Sequence, residues 1–460
     1  TVLSIAIEGH GRESDDATLD VSRTVGWFTS MYPVRLAAGA FDAAEALAGG
    51  AAAGTVLKRV KEQLRAVPRR GIGYGVLRYV DPESAPLLAA NPAPEISLNY
   101  LGRVAAGTES DWQSLPEAPG LFGDTDPEWP LDHTLSINTQ VCDTPDGPRL
   151  HAWWRYADAL LPQAEAETLA TLWKQAIEGL ASHAADPRAG GLTPTDLSGL
   201  RLTKHEIEEI EARLGGVEDL WPMTPLQEGL FFHMLTAGEG EDPYIVQLIL
   251  DLDGQVDAQA LRTALDRLLL RHPNLRARAL QTASGQPLLA IPHTAAFPWA
   301  VHNLSALPDD AAETEALKIE AAECRRSFET ASPLLQATLI CLSRRKRLLI
   351  RLHHMIADGW SGAIFLNELA VLYAAPTGGN LPAAPDMRTY LEWLGAQPAD
   401  VARTAWTDYL AGYEAPEPLP ASGTAAVFDH ALPAALVHRG EALARSQGLT
   451  MAAVLLGLWG

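Results

Sequence analysis

Cysteine and cationic charge are both scarce in this chain. Its 460 residues hold three cysteines, Cys142, Cys324 and Cys341, an odd number, widely spaced and with no CxxC pair. That pattern is not a disulfide framework and fits buried thiols in a reducing cytoplasm. Lys and Arg number 35 against 57 Asp and Glu, for a formal net charge of −22. A nucleic-acid binder needs a basic face and an anionic membrane attracts cations, so the balance argues against both partners. Long hydrophobic runs are lacking too: none approaches bilayer length, and the opening residues do not form a basic-then-apolar leader.

What is present is ordinary globular composition, 47% hydrophobic and 20% charged, in a length sufficient for two or three domains. The chain opens on Thr1, and Thr450–Gly460 reads as the interior of an apolar helix. Both ends look cut, and the expectation is a piece of a longer polypeptide.

The most informative stretch is 347–362, RLLIRLHHMIADGWSG. An apolar run delivers His353 and His354, then Asp358 and Gly359, before a helical pattern begins with Ala363, Ile364, Leu366, Leu369 and Leu372. Strand, glycine loop and helix together present a polar side chain at the end of a sheet. Successive strand side chains point to opposite faces, so the two histidines cannot both serve one site. One is expected to be structural and the other functional. A His-His-Asp metal site has suitable ligand types, but the alternation and the lack of a third nearby His or Cys weigh against it.

The first segment reads as a strand over Val2–Ile7, a helix over Ala40–Leu64, strands at Ile96–Gly102, Leu135–Val141 and Leu150–Tyr156, and a helix from Pro162 to His183. A Pro/Asp/Gly-rich stretch, Pro116–Pro130, interrupts it. The glycines of PRRGIGYG (68–75) do not make a GxGxxG fingerprint, which excludes a dinucleotide site there. EGHGRE (8–13), RTVGWFTSMYP (23–33), PRRGIGYG and LNYLGR (98–103) occur in that order. The series resembles the C-terminal half of the epimerization domain of nonribosomal peptide synthetases.

That resemblance implies inversion of the α-carbon of an aminoacyl or peptidyl thioester held on a carrier domain. Such chemistry needs two acid/base groups flanking the carbon. It assigns one of them to Glu8 and the other to a histidine of a half that would precede this chain. Asn99 and Tyr100 would lie nearby, suited to hydrogen-bond an enolate oxygen; a core aromatic is the structural alternative for Tyr100.

Breakers at 185–191 and Thr193-Pro-Thr-Asp196 lead into a short charged helix, Lys204–Leu214. This region reads as an interdomain linker that partly folds against its neighbours. Beyond it, Thr224 and Pro225 start a helix, Tyr244–Leu252 is a strand, and Asp257–His272 is a helix buried through Leu261, Leu265, Leu268 and Leu269. A strand within Phe328–Leu342 should pair with 347–354.

PMTPLQEG (222–229), RHPNLR (271–276) and HHMIADGWS (353–361) resemble the N-terminal half of the condensation domain of the same synthetases. RTYLEWLGAQ (388–397) and a helix at Trp406–Leu410 are similar to the continuation toward its second half. One departure is Gln336, where the family usually has Arg after PLL.

The resemblances imply an α/β fold of chloramphenicol-acetyltransferase-like lobes, each a mixed sheet with flanking helices. The expected organisation is a C-terminal epimerization lobe over 1–190, a linker over 191–216, and an N-terminal condensation lobe with the start of its second lobe over 217–460. The implied reaction is aminolysis of a carrier-bound thioester, pairing a D-configured donor with an L-configured acceptor. His354 would orient the amine or take its proton, with His353 structural. Asp358 would pair with Arg276 and pin the loop, and Gly359 would leave room for a pantetheine arm. The chain itself would bind no cofactor; 4′-phosphopantetheine would arrive on peptidyl carrier domains upstream and downstream, beside an adjoining adenylation domain, in the cytoplasm. An acyl-CoA or acyl-carrier acyltransferase of the same fold and a non-catalytic carrier-docking module are the alternatives; the first would lack EGHGRE and GWFTSMYP.

Overall fold

The computed structural model describes residues 2–12, 19–104, 130–144, 146–186, 189–238, 242–294, 296–375, 381–414 and 426–459. Glu13, residues 116–129 of the Pro/Asp/Gly-rich stretch and 187–188 of the breaker cluster lie outside the described residues. The chain forms two compact units, Thr1–Gln397 and Pro398–Gly460.

The first five strands are β1 (Leu3–Gly9), β2 (Ser30–Leu36), β3 (Ile96–Val104), β4 (Leu135–Thr144) and β5 (Gly147–Tyr156). They make one mixed sheet in the order β2-β1-β3-β4-β5. The two inner pairings are parallel and the two outer ones antiparallel. A parallel step from β1 to β3 requires a long crossover, which the helical segment between β2 and β3 supplies. The single helix expected over 40–64 is two, Ala43–Leu47 and Ala51–Arg65, with Gly49 and Gly50 between them.

The motifs of this segment follow one another because they pack on one another. Arg12 of EGHGRE donates to the carbonyls of Val21 (2.6 Å) and Thr24 (2.7 Å), and its guanidinium lies 4.5 Å over the Phe28 ring. Gly11 has φ +63°, and a Cβ there would fall 1.7 Å from the Phe28 carbonyl oxygen. Gly71 of PRRGIGYG, at φ +82°, is pressed against Tyr32, with the ring 2.0 Å from where a Cβ would be. At both positions the backbone approach and the left-handed conformation demand glycine.

The later strands are β6 (Val217–Pro222), β7 (Ile245–Asp253), β8 (Arg278–Gln281), β9 (Pro287–Pro292), β10 (Trp299–Asn303), β11 (Leu335–Cys341) and β12 (Arg345–His353). They form a four-stranded sheet, β10-β11-β12-β7, and a three-stranded sheet, β6-β9-β8. The expected pairing of β11 with β12 is present and antiparallel, Gln336 opposite Arg351. Even-numbered residues of β12, Leu348, Ile350 and Leu352, enter the main core with Leu265, Leu268, Leu269 and Phe365 from two helices, Ala258–Arg271 and Gly359–Ala374. Each such leucine, fully removed from water, contributes about 1.5–3 kcal/mol. The first helix ends at Arg271, one residue short of the expected His272, and the second begins at Gly359, ahead of the expected Ala363. Helix Asp309–Arg325 and the short strands β6, β8, β9 and β10 were not expected from the sequence.

The stretch expected to be a linker is ordered on both sides. Thr203 and Glu206 form a reciprocal cap on helix Lys204–Leu214, whose Ile207 is fully buried with Leu197, Leu220 and Leu288. Toward the first segment, Asp196 receives Lys61 (2.5 Å) and Arg65 (2.6 Å) of helix Ala51–Arg65, and Lys58 faces Glu211 at 3.7 Å. Toward the second, Arg388 donates to the Asp196 carbonyl at 2.6 Å. In the unit Pro398–Gly460, helices Ala399–Tyr409, Ala434–Ser446 and Met451–Leu456 are short and bury few side chains.

Partial burial pushes the Asp196 carboxyl up, but hydrogen bonds from Lys61, Arg65 and Thr193 outweigh it and hold the group well below the usual carboxylate range. A depressed folded-state value gives stability that is present above the unfolded value of about 3.9 and is lost as pH falls through the folded one. Asp196→Asn should therefore lower stability by about 1 kcal/mol at neutral pH, after allowing for solvent screening. The difference from the parent should vanish in strong acid. Denaturant unfolding of both proteins across pH 2–7 measures this, and a deficit independent of pH would refute the charge-based account.

Candidate active site

Strand β12 delivers the two histidines to opposite environments, as alternation requires. His353 is completely buried. Its Nδ1 accepts the Met355 N–H at 3.1 Å, which places the ring proton on Nε2, 3.2 Å from Asp242 Oδ2. Burial pushes the imidazole pKa down against the pull of Asp242, so the ring is neutral and the contact is a hydrogen bond rather than an ion pair. Phe328 meets the ring edge-on at 6.2 Å.

His354 is exposed, and its Nδ1 donates to the Ala357 carbonyl at 2.8 Å, so in the neutral ring Nε2 is the acceptor. It lines a cavity of about 590 Å³ whose walls are mainly apolar: Val246, Leu248 and Leu352 from the sheet, Ile364 and Phe365 from the helix, Met387 and Tyr390 beyond. Arg271, His272, Asp358, Glu368 and Asp386 add polar groups to the wall. Glu368 accepts from Arg271 Nε at 2.8 Å and lies 2.6 Å from His272 Nε2. Partial burial raises its pKa, but these two partners outweigh the burial and hold it ionised.

The ion pair expected between Asp358 and Arg276 is not formed. Asp358 is the N-cap of helix Gly359–Ala374, accepting from Ser361 N at 2.9 Å and Ser361 Oγ at 2.7 Å, and those bonds lower its pKa. Arg276 is buried and faces elsewhere, donating to Glu218 at 2.6 Å and to the Pro292 carbonyl. A D-G-x-S run is an N-cap signature, so the capping role was available from the sequence. Gly359 borders the cavity, and a Cβ there would meet nothing within 4 Å. Gln336 accepts from Arg351 at 2.7 Å, so the departure at this position leaves a hydrogen bond between the two register partners.

In the other sheet, Glu8 on β1 is level with Asn99 on β3, and Asn99 with Asn138 on β4. Partial burial raises the Glu8 pKa, opposed by the attraction of His133. Register partners share a face, so Glu8 and Asn99 are brought together, whereas Tyr100, one residue on, projects from the opposite face. It is 58% exposed, neither beside Glu8 nor a core aromatic. His133 and Asn138 were missed in the sequence, where nothing but their position around the start of β4 marks them. Among the described residues, no group of His, Cys, Asp and Glu is arranged to hold a metal, and no helix is long and apolar enough to cross a membrane.

A family model described as "Condensation domain" matches residues 2–197 and 217–460, nearly the whole chain. The chain belongs to the condensation domain family. A linear gramicidin synthase of Brevibacillus parabrevis is 35% identical over 99% of the chain, and chondramide synthase cmdD of Chondromyces crocatus 30% identical over 91%. The chain spans only 9% and 11% of those proteins' lengths. The first condensation domain of the calcium-dependent antibiotic synthetase, solved with a substrate analogue, is 24% identical with a TM-score of 0.42, covering 52% of this chain and 58% of that one.

Double-mutant cycles test the corrected pairing. The Arg276–Glu218 cycle should give a coupling of about 1 kcal/mol or more, and the Arg276–Asp358 cycle a value within about 0.3 kcal/mol of zero. Asp358→Ala alone should cost about 1 kcal/mol through the lost cap. Coupling confined to Arg276 and Asp358 would restore the ion pair expected from the sequence.

Proposed function

We propose that the chain is part of a nonribosomal peptide synthetase, with residues 217–460 contributing to peptide-bond formation and residues 1–190 to epimerization of the carrier-bound residue that precedes it. The observation that carries the first part is His354 lining an apolar cavity, with its Nδ1–H held by the Ala357 carbonyl so that in the neutral ring Nε2 is left to accept a proton. An α-amine has a pKa of about 7.7–8.0 and is already nucleophilic when neutral, so a weak base suffices. The acceptor's amine nitrogen bonds to the donor's thioester carbon while the C–S bond breaks. The amine's surplus proton passes to His354 Nε2 and from there to the departing thiolate. Gly359 offers open space where a pantetheine arm, carried on a partner domain, can run beside the backbone.

Glu8 supports the epimerization reading. A carboxyl raised toward neutrality by burial, in one row with the Asn99 amide, suits proton exchange at an α-carbon next to a hydrogen-bonded enolate oxygen. The motif series of the first segment and the family's two separate matches, 2–197 and 217–460, favour two sites rather than one. A segment of this kind ahead of a condensation lobe implies a D-configured donor and an L-configured acceptor. Peptidyl carrier domains and an adenylation domain would be the partners.

Testing requires the synthetase that contains the chain, loaded on its carriers. His354→Ala should reduce peptide formation by about 100-fold or more and leave α-proton exchange intact. Glu8→Gln should abolish α-deuterium exchange in the donor yet permit peptide formation when the D-configured donor is loaded directly. Peptide formation unaffected by His354→Ala would refute the condensation assignment, and exchange unaffected by Glu8→Gln would refute the epimerization assignment.

A further inference from the structure

The two histidines differ in environment but share a support. Asp242 is buried, its side chain only 2% exposed, and both of its oxygens are engaged. Oδ2 faces the Nε2–H of His353 at 3.2 Å, and Oδ1 accepts the N–H of Tyr244 at 3.0 Å. The Tyr244 carbonyl in turn accepts the N–H of His354 at 2.8 Å. A single carboxylate thus holds the ring of one histidine and, through one residue, the backbone of the next.

The rest of the loop depends on the same anchor. His353 N donates to the Leu334 carbonyl at 3.0 Å, and its ring accepts from Met355 N, so the ring cannot turn over without leaving a buried N–H unpaired. On its far side lies Phe328, over which the buried Arg351 guanidinium stacks at 4.3 Å. Ile356 N closes onto the His353 carbonyl at 3.1 Å, and the turn brings Ala357 to within 2.8 Å of His354 Nδ1. The tautomer and direction of His354 are therefore fixed by a loop whose buried end is held by Asp242.

We propose that Asp242 is a positioning residue for His354: it fixes His353 as the Nε2–H tautomer and sets, through Tyr244, the backbone from which His354 presents its Nε2 to the cavity. This rests on the catalytic reading of His354. Asp242→Asn is nearly isosteric, yet it puts an amide N–H₂ against either the His353 Nε2–H or the Tyr244 N–H, donor against donor.

In the synthetase, Asp242→Asn should lower kcat for peptide formation by about 10-fold or more while KM for the loaded carriers stays within about twofold, the signature of a misplaced catalytic group rather than lost binding. In the 460-residue chain labelled with ¹⁵N-histidine, side-chain spectra at neutral pH should show His353 as Nε2–H and His354 as Nδ1–H, resonances assigned by His353→Gln and His354→Gln. Asp242→Asn should abolish this opposed pair where its N–H₂ faces His353, and shift the His354 resonances where it faces Tyr244. A folded Asp242→Asn protein with parental kcat overturns the proposal, provided that His354→Ala is inactive. If His354→Ala is active, it is the reading of the site that fails. Should Asp242→Asn not fold, the unmodified chain decides: a His353 protonated on Nδ1, or on both nitrogens, overturns the proposal, and the opposed tautomers support it.

Discussion

Everything around His354 depends on the division of strand β12 into two faces. Its even-numbered side chains, Leu348, Ile350 and Leu352, belong to the apolar core, and the cavity begins where that face runs out. Its odd-numbered side chains include Arg347, Arg351 and His353, all buried. The odd face also carries Leu349, buried with Ala316 and Ile340, yet the strand admits a single register, because a shift of one residue would place two guanidiniums and an imidazole among leucines. That constraint puts His353 on the covered polar side and leaves its neighbour to turn toward the cavity.

The charged face has its own cover. Helix Asp309–Arg325 lays Glu313 and Glu320 over Arg347, at 2.9 and 2.7 Å, and Asp251 on β7 completes the set at 2.8 Å. The helix aligns these carboxylates by their spacing of seven, two turns on one side. Burying such groups adds little net stability, since desolvation offsets much of the attraction, but removing one partner from a buried set is costly. The arrangement therefore penalises alternatives to the native register more than it deepens the native state.

The same physics decides how far the sequence could be read. Two adjacent histidines at the end of a Leu/Ile run must face opposite ways through alternation alone, and the structure buries His353 and leaves His354 exposed. The helix start at Thr224-Pro225 was legible because caps are written within four residues, and the same local chemistry at Thr203 and Glu206 went unread. Helix Asp309–Arg325 was not, because its buried side is Ala312, Ala316 and Glu320, which carry no apolar stripe. Asp242 was equally invisible, since its partners are 111 residues away in His353 and two away in a turn. The Arg276–Asp358 pair failed for a related reason: an N-cap satisfies Asp358 locally, and a buried guanidinium takes the nearest carboxylate, here Glu218.

Separation of Glu8 from His354 has an electrostatic rationale as well as a topological one. A carboxyl raised by burial and an imidazole nitrogen open to accept a proton place opposite demands on their surroundings: the first needs a partly desolvated site, the second a site kept free of a carboxylate partner. His353, which does face a carboxylate, is thereby committed to donating its proton and cannot act as a base while that bond stands. Among the described residues, the side-chain hydrogen bond of His354 runs from Nδ1 to the Ala357 carbonyl, a neutral acceptor that adds no charge beside the ring. Moving Glu8 or Asp242 next to His354 Nε2 would convert the free acceptor into a donor. Holding Glu8 in one sheet's row and Asp242 behind the other sheet's strand thus keeps both carboxylates off the Nε2 of His354.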